Sequence, residues 1–385
     1  MVSVSPHLYR QAGALRKIDP ALIERALTQS APPERRDLPA ILTLAHLAHL
    51  TGADPVYLRS VARREKEGYR TFFIRKRSGG RRLIAAPEPV LAEVQRWIAA
   101  NILNKLTPHP ASYAYQPGSS TIKCAKLHLG ARWLIKVDIH DFFESIDERR
   151  VYCVFREIGY QPLVAFQLGR LCTRISAGKS VRNSRWHSNR KMASSGIPEY
   201  SDKLMGHLPQ GAPTSPALSN LASKNLDDCL ERVARKYDLT YTRYSDDIAF
   251  STGGQFTRAQ ALKLVVEIER VFFSFAHELN RKKITIAPPG ARKLVLGLLV
   301  DGNKLKLPRY FRERIRDHVR GIKKFGLANH AKVRNFASVW GMVRHIHGLL
   351  MYARAIDANF YASYEVEFDA ALRNQGFVTP AEPTK

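Results

Sequence analysis

Asp246 and Asp247 stand side by side between two runs of β-forming residues, Leu239 to Tyr244 and Ile248 to Ser251. A tight hairpin with two carboxylates at its tip is unfavourable without a cation, because adjacent like charges each disfavour ionisation of the other. A divalent metal reverses that sign. Aspartate is also an ordinary turn residue, so Tyr244-Ser245-Asp246-Asp247 alone fits a plain turn as well as a metal site. A third carboxylate narrows the choice. Asp138 closes an apolar strand in Lys136-Val137-Asp138-Ile139-His140-Asp141-Phe142-Phe143, and the chain between it and Asp246 is long enough to return beside it. Carboxylates from two neighbouring strands can hold two Mg2+ ions about 4 Å apart, one activating a sugar hydroxyl and one stabilising a leaving pyrophosphate. That is the geometry of nucleotidyl transfer.

Charge points the same way. The 385 residues carry 61 Lys and Arg against 34 Asp and Glu, a net charge of +27, yet 45% of them are hydrophobic, so a sizeable core can form and a disordered polycation is excluded. Three segments hold most of the excess: Arg59 to Arg82 (ten basic, two acidic), Arg174 to Lys191 (six basic, none acidic) and Arg309 to Lys324 (seven basic, two acidic). Separated basic blocks suit a groove around a nucleic-acid duplex better than a single membrane-surface helix. Each block taken alone also fits a solvated face. The longest apolar stretch, Leu294 to Val300, is far below the roughly 20 residues a membrane span needs. The opening residues show no secretory leader, so a cytoplasmic protein without membrane contact is expected. Cys124, Cys153, Cys172 and Cys229 lack any Cys-x-x-Cys spacing and read as buried thiols.

Along the chain, Asp19-Pro20 and Asp54-Pro55 mark helix starts, and residues up to about 68 read as helices. Tyr69 to Lys76 and Arg81 to Ala86 read as a hairpin around Ser78-Gly79-Gly80, followed by a helix carrying Leu91, Val94, Ile98 and Ile102. Trp133 to Ile139 reads as a strand with a helix from Glu148, and the polar, basic Ser176 to Ser195 reads as an inserted loop in which Trp186 could stack on a base. One long helix is expected from Pro216 to about Lys236, another from Thr257 to Leu279, and strands at Ile284 to Ala287, Leu294 to Val300 and Lys304 to Leu307. A helical region follows from Arg309, with Tyr310, Phe311 and Phe325 in its core and His345 and His347 as structural residues.

These motifs together resemble the reverse transcriptases, through seven ordered blocks from about Tyr69 to Leu307. Tyr244-Ser245-Asp246-Asp247 resembles the family's Tyr-x-Asp-Asp box, and Asp138 with Phe142-Phe143 its first-Asp block. Leu208-Pro209-Gln210-Gly211-Ala212-Pro213-Thr214-Ser215-Pro216 is similar to the block shaping the nucleotide and template pocket, and Leu279-Asn280-Arg281-Lys282-Lys283 to the one bearing a mobile lysine. Arg81-Arg82, Pro87 and Gln95-Arg96-Trp97-Ile98 fit the fingers, and Ser112-Tyr113-Ala114-Tyr115-Gln116-Pro117-Gly118 the next block.

The resemblance implies an α+β right-hand polymerase fold: an N-terminal helical extension (1–68), fingers and a palm with an antiparallel sheet (69–300, with a basic insert at about 174–195), then a helical thumb and tail (301–385). It implies metal binding by Asp138, Asp246, Asp247 and the carbonyl of Ile139, with two Mg2+ ions as cofactor. Lys283 would protonate the leaving pyrophosphate. The dNTP pocket would comprise Arg82, Phe143, Gln210, Gly211 and Tyr244, with Phe143 excluding a ribose 2′-hydroxyl by bulk. Arg81 or Lys76 could take the place of Arg82. Arg309, Arg312, Arg316, Arg320 and Lys323, at helical spacing, would follow a phosphate backbone.

Within the family, Cys124-Ala125-Lys126-Leu127-His128 and Val295-Leu296-Gly297 are similar to two retron signatures, each departing at one position. Those signatures are associated with recognising a structured noncoding RNA, which would be template and primer, with His128 as a contact. A retron enzyme would make branched RNA–DNA (msDNA), hold an RNA–DNA hybrid, and work with an effector protein in anti-phage defence. The alternatives are an abortive-infection or intron-like bacterial reverse transcriptase, or a non-catalytic RNA-binding scaffold of a defence complex.

Overall fold

The computed structural model describes residues 6–76, 79–175 and 205–377. The basic insert, with Trp186, therefore lies outside the described residues from its third position on. Helices α1 (Pro6–Leu15), α2 (Pro20–Glu34), α3 (Leu44–Thr51) and α4 (Pro55–Ala62) open the chain. The Asp-Pro pairs work as the sequence suggests. The Asp19 carboxylate accepts from the Ala21 amide at 2.9 Å and that of Asp54 from the Val56 amide at 2.9 Å, satisfying donors that the first turn leaves free.

Strands β1 (Tyr69–Arg75) and β2 (Arg81–Pro87) form the expected antiparallel hairpin, in register from Tyr69 opposite Pro87 to Arg75 opposite Arg81. Helix α5 (Pro89–Asn101) buries Leu91, Val94 and Ile98 completely, one stripe at helical spacing. Helix α6 (Thr121–Lys126) precedes β3 (Trp133–His140), and α7 (Glu148–Glu157) and α8 (Pro162–Cys172) follow it.

The single helix expected from Pro216 to Lys236 is two: α9 (Ser215–Ala222) and α10 (Lys224–Lys236), separated at Ser223. The side chain of buried Asn220 bonds Ser112 and the Ala114 carbonyl instead of facing solvent, a long-range demand that local periodicity does not reveal. Strands β4 (Thr240–Tyr244) and β5 (Asp247–Thr252) are the acid-tipped hairpin. Helix α11 (Arg258–Ser274), started by a Thr257–Gln260 capping box, stops short of its expected end, because the chain turns at Ala276 with a φ of +51° and becomes β6 (Glu278–Leu279).

Four strands run in the order β4-β5-β3-β6, with β7 (Thr285–Ala287) also pairing with β3. β6 is antiparallel to β3, with Ile139 opposite Leu279. The run from Leu294 to Val300 is a tight hairpin rather than one strand. β8 (Leu294–Val295) and β9 (Leu298–Leu299) reverse at Leu296 and Gly297, whose φ values are +48° and +82°. Of the strand expected at 304–307, an isolated bridge from Lys306 to Leu299 is present.

Helices α12 (Arg309–Val333), α13 (Val339–Arg354) and α14 (Ala358–Arg373) end the described chain, α12 being broken at Gly326. Ile315, Val319 and Ile322 bury the inner stripe of α12. Phe311 packs on Tyr352 at 5.4 Å between ring centroids, but Tyr310 and Phe325, expected in the core, are exposed. His345 packs between Phe336 and His318, consistent with a structural role. Cys124 and Cys172 are buried, whereas Cys153 and Cys229 are only partly so. Among the described residues no helix is long and apolar enough to cross a membrane.

By compactness the chain forms two units. One comprises Met1–Ser119, Ile135–Phe250 and Thr257–Thr285; the other comprises Ser120–Leu134, Ser251–Phe256 and Ile286–Lys385. In the first, the Glu148 carboxylate is enclosed by Arg64, by Arg170 at 2.5 Å, by the Thr173 hydroxyl at 3.1 Å and by the Gly206 amide at 2.9 Å.

Three buried imidazoles are held neutral. Burial lowers His128 and His318 to about 4, and His277 goes well below its usual value through burial and the nearby Arg150 and Arg243. A histidine lowered on folding stabilises the fold fully above its unfolded value near 6.5 and loses that contribution as pH falls towards the folded one. Denaturant unfolding across pH 7 to 4 should therefore show the contribution of these histidines falling in acid, and His128→Gln should lose less stability over that range than the parent.

Candidate active site

The acid-tipped hairpin owes its shape to a buried cation beneath it. The Arg243 side chain is wholly buried in β4 and forms a two-point ion pair with Asp227 of α10, with Nε to Oδ1 at 2.7 Å and Nη2 to Oδ2 at 2.6 Å. The Tyr241 hydroxyl donates to the same carboxylate at 2.6 Å. From this anchor Nη1 reaches Asn220 Oδ1 at 3.1 Å and the Ser245 carbonyl at 3.3 Å. Ser245, first of the two connecting residues, has a φ of +61°, the left-handed region where glycine is usual in such turns. Burial works against the Arg243 charge, but Asp227 outweighs it and holds the guanidinium above its ordinary value.

Asp138 is brought to the hairpin by strand pairing. The Ile139 amide donates to the Asp246 carbonyl at 3.2 Å, and the Asn280 amide donates to the Asp138 carbonyl at 2.9 Å. The Asp138 carboxylate is buried and doubly held: Asn280 Nδ2 donates to Oδ1 at 2.9 Å, and Lys283 Nζ lies 2.6 Å from Oδ2. The Asp246 carboxyl is raised, first by burial and then by the fields of Asp138 and Asp247. Burial pulls the Lys283 ammonium down, but its bond to Asp138 and the fields of all three aspartates overcome this and raise it. Asp247 lies 3.9 Å from Lys136. Among the described residues no three His, Cys, Asp or Glu side chains stand together as a ready chelate. Asp138 is turned towards Asn280 and Lys283, so a lysine serves as its counter-ion here.

The proposed nucleotide residues gather near this hairpin. Gln210 and Gly211 lie against β2, the Ala85 amide donating to the Gln210 carbonyl at 2.8 Å. Gly211 has a φ of +119°, and a Cβ there would fall 2.8 Å from Ile84, so both backbone and space require glycine. Arg82 is exposed on β2 opposite Ile74, and its field partly opposes the burial that raises the Tyr115 hydroxyl and the Glu144 carboxyl. Phe143 is 9% exposed and packs on Phe142 at 5.7 Å, and Tyr244 ends β4 half-buried. Glu144, unremarked in the sequence, is lifted to about 7, chiefly by burial.

Two expectations are corrected. His128 is 1% exposed and bonds Ser251 Oγ at 2.6 Å, leaving the ring no surface for an RNA contact. Part of the basic stripe of α12 is engaged by side chains of α14 and its N-terminal cap. Arg312 bonds Asp357 at 2.7 Å, Arg316 the Tyr364 hydroxyl at 3.0 Å, and Lys323 Glu367 at 2.7 Å, all towards α14. Arg309, Arg320 and Lys323 remain exposed, Arg309 pairing with Glu313 across one helical turn.

A family model described as "Reverse transcriptase (RNA-dependent DNA polymerase)" matches residues 74–298. The chain belongs to the reverse transcriptase family: it is an RNA-directed DNA polymerase of the right-hand fold, from a family that in general uses divalent metal ions and a nucleic-acid template. Retron Ec86 reverse transcriptase of Escherichia coli is 27% identical over 327 residues, 83% of this chain and 87% of that one. Retron Mx65 reverse transcriptase of Myxococcus xanthus is 32% identical over 346 residues, 86% of this chain and 72% of that one. Within the family, then, this is a reverse transcriptase of the bacterial retron type.

The Asp227–Arg243 pair carries a prediction. Asp227→Ala should lower the unfolding free energy by about 3–5 kcal/mol, because it strands a buried guanidinium. Replacing Asp227 and Arg243 together with Leu and Met should cost much less in urea titrations; equal costs for the single and double variants would show that the charges are not coupled.

Proposed function

We propose that this protein extends a primer with dNTPs on an RNA template at the Asp138–Asp246–Asp247 site, using two Mg2+ ions. The observation that carries the reading is the pairing of β3 and β5 in one sheet, with the Ile139 amide bonded to the Asp246 carbonyl. That bond supports the reading because it joins the strand of the first aspartate to the turn of the other two despite their separation in sequence. The donor chemistry suits a hard divalent cation: carboxylate oxygens with a surplus of negative charge, expressed in the raised Asp246 carboxyl. Asp138, Asp246, Asp247 and the Ile139 carbonyl would hold the ions, whose contribution is to activate the primer hydroxyl and neutralise the departing pyrophosphate.

The chain's own residues supply the rest. Lys283 keeps an acidic proton inside the site, resting on Asp138 until nucleotide arrives, and delivers it to the leaving pyrophosphate. Arg82 pairs with the triphosphate, and Gln210, Gly211 and Tyr244 line the nucleotide pocket. Phe143 stands at the sugar and excludes a 2′-hydroxyl by bulk. Exposed Arg309, Arg320 and Lys323 contact the phosphates of the RNA–DNA hybrid. Within the first unit the hairpin β1–β2 belongs to the fingers and the sheet to the palm; α12 to α14 of the second unit form the thumb. As a retron enzyme the protein would start from the 2′-hydroxyl of an internal guanosine of its own structured noncoding RNA, leave branched RNA–DNA, and act with an effector protein in anti-phage defence. Its likeness to the retron enzymes Ec86 and Mx65 supports that reading.

Primer extension on a defined RNA template should require Mg2+ and should be abolished by Asp246→Ala with Asp247→Ala. Equal incorporation by variant and parent would defeat the assignment and favour an RNA-binding scaffold. Hybrid affinity should fall steeply between low and physiological salt, and a flat response would exclude phosphate contacts by the basic blocks. Sequencing the nucleic acid that copurifies tests the retron clause: an abundant branched small DNA supports it, and random cellular RNA defeats it.

A further inference from the structure

Tyr115 has no part in the site as described, yet its surroundings single it out. It adopts a φ of +59°, in the left-handed region that bulky side chains avoid, and so does Ser245, at +61°. These two residues touch: the Tyr115 hydroxyl and Ser245 Oγ are 3.0 Å apart. Ser245 is the buried residue immediately before the two adjacent aspartates. The Tyr115 ring also lies beside that of Phe143, with centroids 6.3 Å apart and planes at 45°. The ring is still 45% exposed, so hydrophobic burial alone does not account for its position.

The backbone around Tyr115 is fastened to the hairpin by other bonds. The Tyr113 amide donates to the Arg243 carbonyl at 2.8 Å, and the Arg243 amide to the Ala111 carbonyl at 2.8 Å. Asn220, itself bonded to Arg243, donates to the Ala114 carbonyl at 2.7 Å. An unfavourable backbone conformation persists where surrounding structure over-determines it, and such positions concentrate at functional sites.

We infer that Tyr115 is a positioning residue for sugar discrimination: its ring braces Phe143 while its hydroxyl ties that brace to the turn carrying Asp246 and Asp247. The distance between the sugar-excluding edge and the acids is thereby set by one side chain. A dNTP needs only that the edge be present. Rejection of an rNTP needs the edge to stay where it is when a 2′-hydroxyl pushes on it, and Phe143 gains that resistance from the ring behind it. The inference rests on the assignment of Phe143 as the sugar-excluding residue.

Single-nucleotide incorporation of dNTP and rNTP by the full-length protein separates the two ideas. The readout is the ratio of the two kcat/KM values, which a uniform loss of folded enzyme leaves unchanged. Tyr115→Leu and Tyr115→Ala should each raise rNTP use relative to dNTP by about tenfold or more, in the range a lost steric contact gives. Tyr115→Phe keeps the ring and should preserve the ratio while lowering kcat for dNTP, since the bond to the turn is lost. Phe143→Ala serves as the reference. If it relaxes the ratio while Tyr115→Leu and Tyr115→Ala leave it unchanged, the bracing role is wrong and the Phe143 assignment stands. If Phe143→Ala leaves the ratio unchanged, the assignment of Phe143 fails and the bracing role with it. Unaltered kcat in Tyr115→Phe would overturn the link from the hydroxyl to the turn.

Discussion

The ion pair between Arg243 and Asp227 is the contact on which the acid-tipped hairpin depends. A guanidinium taken out of water is unfavourable by several kcal/mol unless its donors are filled, and here the filling spreads order outward. Asp227 fixes one edge of the fork, Asn220 and the Ser245 carbonyl the other, and the backbone of Arg243 holds the segment around Tyr113. The same cation stands beneath a turn bearing two acids.

Above that anchor the charges are nearly balanced. Asp138 has Lys283 as its partner, and Asp247 has Lys136 at a longer distance. Asp246 forms no ion pair among the described residues, and it is the carboxyl pushed up by burial and by its neighbours. The arrangement keeps an acidic cluster folded by lending it a lysine, and it concentrates the remaining electrostatic cost on a single group. A positively charged ligand entering the cluster therefore relieves most repulsion at Asp246, while any ligand of Asp138 competes with an ammonium.

Local chemistry was legible in the sequence wherever it was carried by near neighbours. The Asp-Pro helix starts and the β1–β2 hairpin follow from residue type and spacing, and the structure agrees. Features decided by distant partners were not legible. The break at Ser223 comes just after Asn220, whose side chain reaches Ser112 and Ala114, and α11 ends near a left-handed Ala276. The α12 stripe is basic in sequence, but Asp357, Tyr364 and Glu367 sit opposite it on a helix whose docking no local pattern announces. His128 reads as a polar contact and is instead a buried, neutral ring. Arg243 could have drawn notice as a charge inside a strand next to the acidic turn; Asp227, one of several charges on an amphipathic helix, could not.

The enclosure of Glu148 bears on how far this polymerase can be trimmed. One of the two guanidiniums around that carboxylate belongs to Arg64, at the end of the opening helices, and the other to Arg170 in α8. Cutting the chain ahead of β1, where the sequence changes from helical to extended, would leave a buried anion half-neutralised at the start of α7, only a few residues beyond Phe143. The opening helices are thus part of the polymerase's keel, and a minimal version of this enzyme has to keep Arg64 or supply another cation in its place.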